Sequence, residues 1–481
     1  MLNIIPKPNF IKEYSGKTKL NEEKIIFKTN NSFLDETYEI EITKEKITVT
    51  AKTEKAKHYA LVTLRQLKDE SGFVPCLKIT DFPRFSYRAF MIDSARHMQT
   101  IEEIKTYIQA ASELKFNYFH WHLCDDQGFR IESHSFPELN VVGSFRNGWG
   151  FGNKNTEKYG GFYTKEEIKD VVAFCKERFI EVIPEIDMPG HTKAILATYP
   201  ELSCRGEKIE VETRPGIHED IMCAGKEETF DFCFRLLEEV MELFPCEYFH
   251  IGGDEAPKKR WDSCPHCQKR IKEENLADSE KLQGYFVNRI VSFVESKGKK
   301  AIAWNESLNS DMLSKSVIVS DWMDKTHKCE PFANEGGKLI IEDFYHYYLD
   351  YPYGMTPLKK TYTFNPYIEG LNEKGRANVI GVETPIWTEF VEDFEKLCQM
   401  CFPRMMAVAE TGWTTEENKN YRLFKKNCEA KRAYLASKGI VMTESSKWDP
   451  LAYRKAIDLI NHYKRFVTKD FIKSLFIKED D

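Results

Sequence analysis

At 481 residues the chain is longer than one ordinary domain, and two or three domains are expected. Hydrophobic content of 42% and aromatic content of 13% exclude a disordered protein. A net charge of -7, with no basic cluster beyond short runs such as Lys258-Lys259-Arg260, argues against a nucleic-acid partner. No stretch approaches the ~20 apolar residues of a membrane span, so no membrane partner is expected. Met1 to Pro8 lacks the apolar core of a secretion signal, and a cytoplasmic location is expected.

Residues 1–82 read as a small α+β domain. Tyr38, Ile40 and Ile42 alternate with polar residues, as do Ile47, Val49 and Ala51 after Lys44-Glu45-Lys46, which predicts a hairpin. A helix follows, with Ala60, Leu61, Leu64 and Leu67 on one face. This part of the chain carries no catalytic cluster, and packing is its expected role.

Residues 83–438 change to a repeat of strand, loop and helix. Strands are predicted at Arg88–Ala95, Tyr118–Cys124, Phe179–Asp187, Glu247–Glu255, Lys300–Trp304, Val317–Trp322, Leu339–Phe344 and Asn378–Val382. Thr100 with Glu103, and Thr164 with Glu167, have capping-box spacing and mark two helix starts. Eight such units predict a (β/α)8 barrel. A doubly wound open sheet should carry a glycine-rich phosphate loop after an early strand, and this chain has none.

Residues 439–481 read as a helical extension. Ala456, Ile457, Leu459, Ile460 and Tyr463 are expected to pack on the barrel, and Lys478 to Asp481 to fray.

The 13 cysteines are an odd, scattered set that fits free thiols better than a disulfide framework. Cys398 and Cys401 lie on a helical pattern and read as core. Cys264 and Cys267 lie in a charged loop and could hold zinc or form a redox pair. No second pair stands at zinc-ribbon spacing, so no metal and no cofactor are assigned.

A barrel of this kind gathers its chemistry at the C-terminal ends of its strands. Those ends deliver Asp93 to His97, Asp125 to Gly128, Glu185 to Asp187 with Pro189-Gly190-His191, Asp254-Glu255, Trp304-Asn305-Glu306, Asp321-Trp322, Tyr348 to Asp350, and Trp387 to Glu389. Aromatic faces stack on the apolar faces of sugars, while carboxylates and arginine bind hydroxyls. The list therefore reads as a sugar-processing site. Within it, Gly252-Gly253-Asp254-Glu255 places two acids side by side. Charges that close push one pKa up, a standard way to keep an acid protonated.

These stretches resemble the family 20 glycoside hydrolases, the β-N-acetylhexosaminidases. The match covers Asp93–His97, His120–Arg130, Ile183–His191, His250–Glu255, Tyr348–Asp350 and Gly381–Glu389, in family order across nearly all of the barrel. The resemblance implies a retaining, exo-acting enzyme in which the substrate's own 2-acetamido oxygen attacks C1 and forms an oxazolinium intermediate. It implies Glu255 as general acid and base, Asp254 as the residue that orients the acetamide, and Tyr348 as a hydrogen-bond donor to the acetamide oxygen. Trp304, Trp322 and Trp387 would wall the N-acetyl pocket. Arg96 and Glu389 would bind outer hydroxyls, Asp350 would lie near O6, and Asp125 with His191 would support the general acid. His97, His120, His122 and Glu306 are expected to be structural or supporting residues.

Small oligosaccharides or glycoconjugates are the implied partners, and the resemblance allows a homodimer. Three positions depart from the family: Phe129 and Asn305 stand where Trp and Asp are common, and no counterpart is found for a further Trp between Tyr348 and Gly381. A sugar-binding barrel without catalysis should have lost the acid pair or Tyr348, and this chain keeps both. A chitinase should carry Asp-x-x-Asp-x-Asp-x-Glu on strand four, whereas Gly-Gly-Asp-Glu stands here.

Overall fold

The computed structural model describes residues 2–149 and 155–464. Eight parallel strands close into a barrel in chain order: Tyr87–Asp93, Tyr118–His122, Glu181–Glu185, Tyr248–His250, Lys300–Trp304, Ile318–Asp321, Lys338–Ile341 and Val379–Ile386. We number these barrel strands one to eight. Strand eight pairs with strand one from Gly381↔Tyr87 to Ile386↔Ile92 and completes the ring. Gly381 allows this closure, because a Cβ there would lie 1.9 Å from the Tyr87 carbonyl oxygen.

The eight predicted strands are all present, strand five with the predicted ends and the other seven with shifted ones. The largest shift is in strand four, which stops at His250 although the sequence pattern runs on to Glu255. Gly252 and Gly253 follow with φ of +68° and +100°, and this left-handed backbone ends the ladder. The repeat is also less regular than expected, since a 3-10 segment, Asn305–Ser310, stands after strand five where an α-helix was expected. Both predicted capping boxes form, at Thr100/Glu103 and Thr164/Glu167.

The N-terminal residues form a five-stranded sheet ordered Phe10–Lys19, Phe73–Asp81, Tyr38–Ile42, Ile47–Ala51, Ile26–Thr29. The predicted hairpin pairs in register from Tyr38↔Ala51 to Ile42↔Ile47. The predicted helix, Glu54–Leu67, lays Ala60, Leu64 and Leu67 into the sheet's core. Trp413, from the barrel helix Arg404–Trp413, belongs to the same core.

One buried carboxylate ties the two parts together. Asp81 accepts from the Tyr38 hydroxyl (2.5 Å), the Trp413 indole (2.9 Å) and the Lys115 ammonium (3.1 Å), and both Lys115 and Asp81 are fully buried.

The C-terminal helix Ala452–Lys464 corrects the expectation for the extension. Ala456, Ile457, Leu459, Ile460 and Tyr463 are all exposed, and His462 is the buried residue of the helix. Its contacts with the barrel are polar and aromatic: Asp458 accepts from the Gly354 N–H at 3.0 Å, and His462 stands 5.0 Å from the Tyr351 ring. Lys478 to Asp481 lie outside the described residues. Among the described residues, no helix is long and apolar enough to cross a membrane.

Asp81→Asn should leave the Lys115 cation buried without its partner, at a cost of about 3–5 kcal/mol. Urea unfolding measures this loss, and Lys115→Met in the same chain should recover part of it.

Candidate active site

The C-terminal ends of the strands enclose a cavity of about 160 Å³. Its wall contains Arg96, Asp125, His191, Asp254, Glu255, Trp322, Tyr348, Asp350, Trp387 and Glu389, together with Asp187 and Tyr351. Every residue singled out from the sequence is therefore in the wall except Trp304. That tryptophan stands behind it, 6.1 Å from Trp387 in a cluster with Trp322 and Tyr348. Its indole N–H donates to Glu185 at 2.8 Å.

The local backbone explains how two adjacent acids reach one cavity. Strand residues alternate in direction, and the Gly252-Gly253 turn breaks that alternation before the acids. A Cβ on Gly252 would lie 1.7 Å from Asp187 Oδ1, and one on Gly253 would lie 2.4 Å from Ser307 Oγ. The Gly253 N–H donates to Asp187 at 3.0 Å, so the turn is held from strand three. Glu255 and His191 both have positive φ, +41° and +53°. Left-handed backbone at non-glycine residues is strained and concentrates at functional sites.

Two cations face the carboxylates. His191 Nδ1 lies 3.2 Å from Asp125 and 3.4 Å from Asp126, while Nε2 lies 3.4 Å from Glu255 and 3.7 Å from Asp254. Burial disfavours the His191 charge, but Asp125 and its other acid partners win and hold the imidazole's pKa well above its usual range. Arg96 Nη2 pairs with Asp125 at 2.7 Å and stands 3.8 Å from Glu389, and its guanidinium lies 5.0 Å over the Trp387 ring.

The acids respond differently. Burial raises the Glu255 carboxyl, but the hydrogen bond and charge of His191, with Arg96, bring it below its ordinary value. Asp254 is pushed well up by burial and then by Asp187, which is itself raised by burial and by the charges of Glu185 and Asp125. The surroundings thus favour a proton on the Asp187–Asp254 pair more than on Glu255. Asp350 and Glu389 are also raised, chiefly by burial.

Four buried polar atoms in this wall have no hydrogen-bond partner: Asp254 Oδ1, Asp350 Oδ1, Trp322 Nε1 and Trp387 Nε1. Buried polar atoms are normally satisfied, and unpaired ones that line a cavity are set for a ligand. Two acceptors and two donors beside aromatic walls suit a hydroxylated, amide-bearing molecule. Asp125, Asp187 and His191 could bring ligand atoms within 4.8 Å of one another.

Beneath the wall lies a network that joins His120 and His122, expected as supporting residues, to Glu185. Glu185 accepts from Trp304, pairs with His122 Nδ1 and lies 3.1 Å from His120 Nε2. His122 Nε2 continues to Asp125 at 2.9 Å. Burial opposes charge on both histidines, but Glu383 and Glu185 push His120 up to about 10, and Glu185 pushes His122 up to about 9. The chain Glu185–His122–Asp125–His191–Glu255 thus runs from the barrel core to the acid. Alternation contained the signal, since Glu185 and Asp187, like His120 and His122, are two residues apart and share an inward face. Tyr351 carried no such signal. Glu306 supports the acid by accepting from the Glu255 N–H at 2.9 Å. Asn305, one of the departures from the family, accepts from the Trp322 N–H at 3.2 Å and so positions that wall.

A (β/α)8 barrel with a strained acid pair, a charged histidine and an aromatic-walled cavity has the form of a glycosidase. The family model described as "Glycosyl hydrolase family 20, catalytic domain" matches residues 85–416, and "Glycosyl hydrolase family 20, domain 2" matches residues 13–82. The chain belongs to glycosyl hydrolase family 20. It is 35% identical to a β-hexosaminidase of Porphyromonas gingivalis over 411 residues, 81% of this chain and 52% of that protein, so it spans about half the length of that relative. A β-hexosaminidase of Akkermansia muciniphila is 31% identical over 434 residues, 87% of each chain. The crystal structure of an exo-β-N-acetylglucosaminidase from Vibrio harveyi in complex with N-acetylglucosamine superposes with a TM-score of 0.84 at 28% identity, covering 92% of this chain and 78% of that one.

His191 lowers Glu255, Asp254 and Asp187 alike. His191→Gln should therefore move both limbs of the kcat/KM–pH profile to higher pH, besides lowering its maximum. A profile that falls in height without moving would show that the histidine charge does not reach the acids.

Proposed function

We propose that this protein is an exo-acting β-N-acetylhexosaminidase that removes terminal β-linked N-acetylhexosamine from oligosaccharides or glycoconjugates, with retention of configuration. The observation that carries this reading is the unpartnered Asp254 Oδ1 next to Glu255, in a cavity walled by Trp322, Tyr348 and Trp387. A buried acceptor between aromatic faces is what a 2-acetamido group requires: the N–H meets the carboxylate and the methyl group meets the rings.

In this reading Asp254 orients the acetamide so that its carbonyl oxygen attacks C1, and then balances the positive charge of the oxazolinium ion. Tyr348 hydrogen-bonds the acetamide oxygen. Glu255 protonates the departing glycosidic oxygen and afterwards takes a proton from the incoming water, which is ordinary general acid–base chemistry. The usual two-carboxylate scheme places a protein nucleophile across the sugar from the acid. Here the substrate supplies the nucleophile, so the acids can be neighbours. Arg96, Asp350 and Glu389 take the remaining hydroxyls, and Asp125 with His191 holds Glu255 in place.

A cavity of about 160 Å³ lies below the ~300–1,000 Å³ of ordinary ligand pockets and suits a single sugar residue. That size favours cleavage at chain ends.

Hydrolysis of 4-nitrophenyl N-acetyl-β-glucosaminide beside the plain β-glucoside tests the proposal. Rapid cleavage of the N-acetyl substrate alone is expected, and equal cleavage of both would overturn participation of the acetamide. On substrates with poor leaving groups, Glu255→Gln should lower kcat by about 10²–10⁴-fold. Asp254→Asn should reduce turnover of N-acetyl substrates while circular dichroism and the melting temperature show an intact fold.

A further inference from the structure

Four of the thirteen free cysteines meet at one point beside the active site. Cys204 and Cys223 come from the long loop after strand three, and Cys264 and Cys267 from the segment after strand four. Their sulfurs all lie within 4.8 Å of one another. The separations are 3.8 Å for Cys204–Cys267, 3.8 Å for Cys223–Cys264 and 3.6 Å for Cys223–Cys267. A tetrahedral zinc with bonds of about 2.3 Å sets its sulfurs about 3.8 Å apart. A bonded disulfide would require about 2.05 Å. These three separations are close to the edge of such a tetrahedron and far from a bonded disulfide.

We propose that Cys204, Cys223, Cys264 and Cys267 form a structural site for one zinc ion, bound as four thiolates whose protons pass to solvent. The surrounding backbone is built to bring the four together. Ser203 and Met222 form an antiparallel bridge, and the Cys223 N–H donates to the Leu202 carbonyl at 2.8 Å, which places Cys204 and Cys223 across a two-stranded turn. Cys264 caps the helix Pro265–Glu273 and Cys267 lies in its first turn, where the positive end of the helix dipole favours thiolate.

The two segments touch backbone to backbone at Gly225, where a Cβ would lie 2.1 Å from the His266 carbonyl carbon and 2.4 Å from the Cys267 nitrogen. Three of the cysteines are buried and Cys204 is half-buried. Four sulfur ligands make a closed site suited to structure and not to catalysis.

The position gives the ion a task. Met222, adjacent to Cys223, donates its N–H to the Pro189 carbonyl at 3.0 Å and accepts from the Trp261 indole at 2.9 Å. Pro189 stands two residues before His191, and Trp261 lies in the segment that follows Asp254 and Glu255. A zinc ion here would clamp the loop carrying the charged histidine to the loop carrying the acids. The spacing Cys-x-x-Cys supplied one half of the site in the sequence, and the fold supplies the other half from Cys204 and Cys223. The sequence left Cys264 and Cys267 open between zinc and a redox pair, and the proposal takes the first of these. The proposal does not depend on which sugar the enzyme cleaves.

The test is elemental analysis of the intact protein, purified without chelator from cells grown with added zinc. About one zinc per chain is expected, and 4-hydroxymercuribenzoate should release it to a chromogenic chelator. Cys223→Ser and Cys264→Ser should each lose the metal and lower the melting temperature. Cys398→Ser, at a buried thiol elsewhere, should keep the metal. Should the site variants fold poorly, reduced wild-type protein dialysed against a strong chelator and titrated with zinc chloride gives a second reading, with one equivalent restoring the original melting temperature. No zinc in the wild-type protein and no uptake on titration would overturn the proposal. So would iron in place of zinc, or a protein mass short by four hydrogens, which would mean two disulfides.

Discussion

Crowding of like charge governs this molecule more than any single contact. Asp93, Asp125, Asp187, Asp254, Glu255, Asp350 and Glu389 surround or underlie one small cavity; the first four are buried and the last three half-buried. Two unit charges about 4 Å apart interact by about 4 kcal/mol at the effective dielectric of a protein surface, and by more inside. Such a set is tolerable only where cations are placed among the acids or protons are retained. The structure does both. Arg96 and His191 are locked between carboxylates, and the Asp187–Asp254 pair and Asp350 are pushed towards the neutral form. Glu255 alone of the acids in the catalytic pair is drawn down, because it sits nearest the His191 charge. The protonation pattern thus follows from where two cations stand.

The same constraint extends down into the barrel. Burying Glu185 would be costly without donors, and His120, His122 and Trp304 surround it. These residues come from strands two, three and five, and pairing of strand three with strands two and four sets Glu185 level with His122 and His250. The network is therefore a product of barrel closure. It holds Asp125 from below through His122, as Arg96 holds it from above. A rigid Asp125 fixes His191, and His191 fixes the charge felt by Glu255.

Much of this was legible in the sequence, because it rests on short-range signals. The capping boxes and the hairpin are local patterns, and the strand-end acids and tryptophans fall where a barrel puts its site. What was not legible depends on distant parts of the chain. Phe10–Lys19 was missed as a strand because it lies exposed at a sheet edge and lacks an alternating pattern. Its partner Phe73–Asp81 contains Pro75, which reads as a strand breaker. It is accommodated opposite Lys17, where the edge strand shifts register. The helix Ala452–Lys464 shows the opposite case, in which real periodicity places Ile457 and Ile460 towards solvent. Asp187 was visible as a strand-end acid, but its role required knowing that Gly252 and Gly253 fold against it.

That turn explains why the acids sit on a loop and not on a strand. A regular strand would send Asp254 and Glu255 to opposite faces, and only one could reach the sugar. Two consecutive left-handed glycines turn the chain, and a left-handed Glu255 completes the turn at a cost on the order of 1–3 kcal/mol. Strain of that kind persists only where neighbours over-determine the geometry. The Glu306 carboxylate on the Glu255 N–H and the Asp187 carboxylate on the Gly253 N–H supply that restraint. Both restraints are themselves ionisable groups raised by burial. The loop that positions the acids is thereby held by groups whose own charge depends on them, and the geometry and the protonation state of the site are one coupled property.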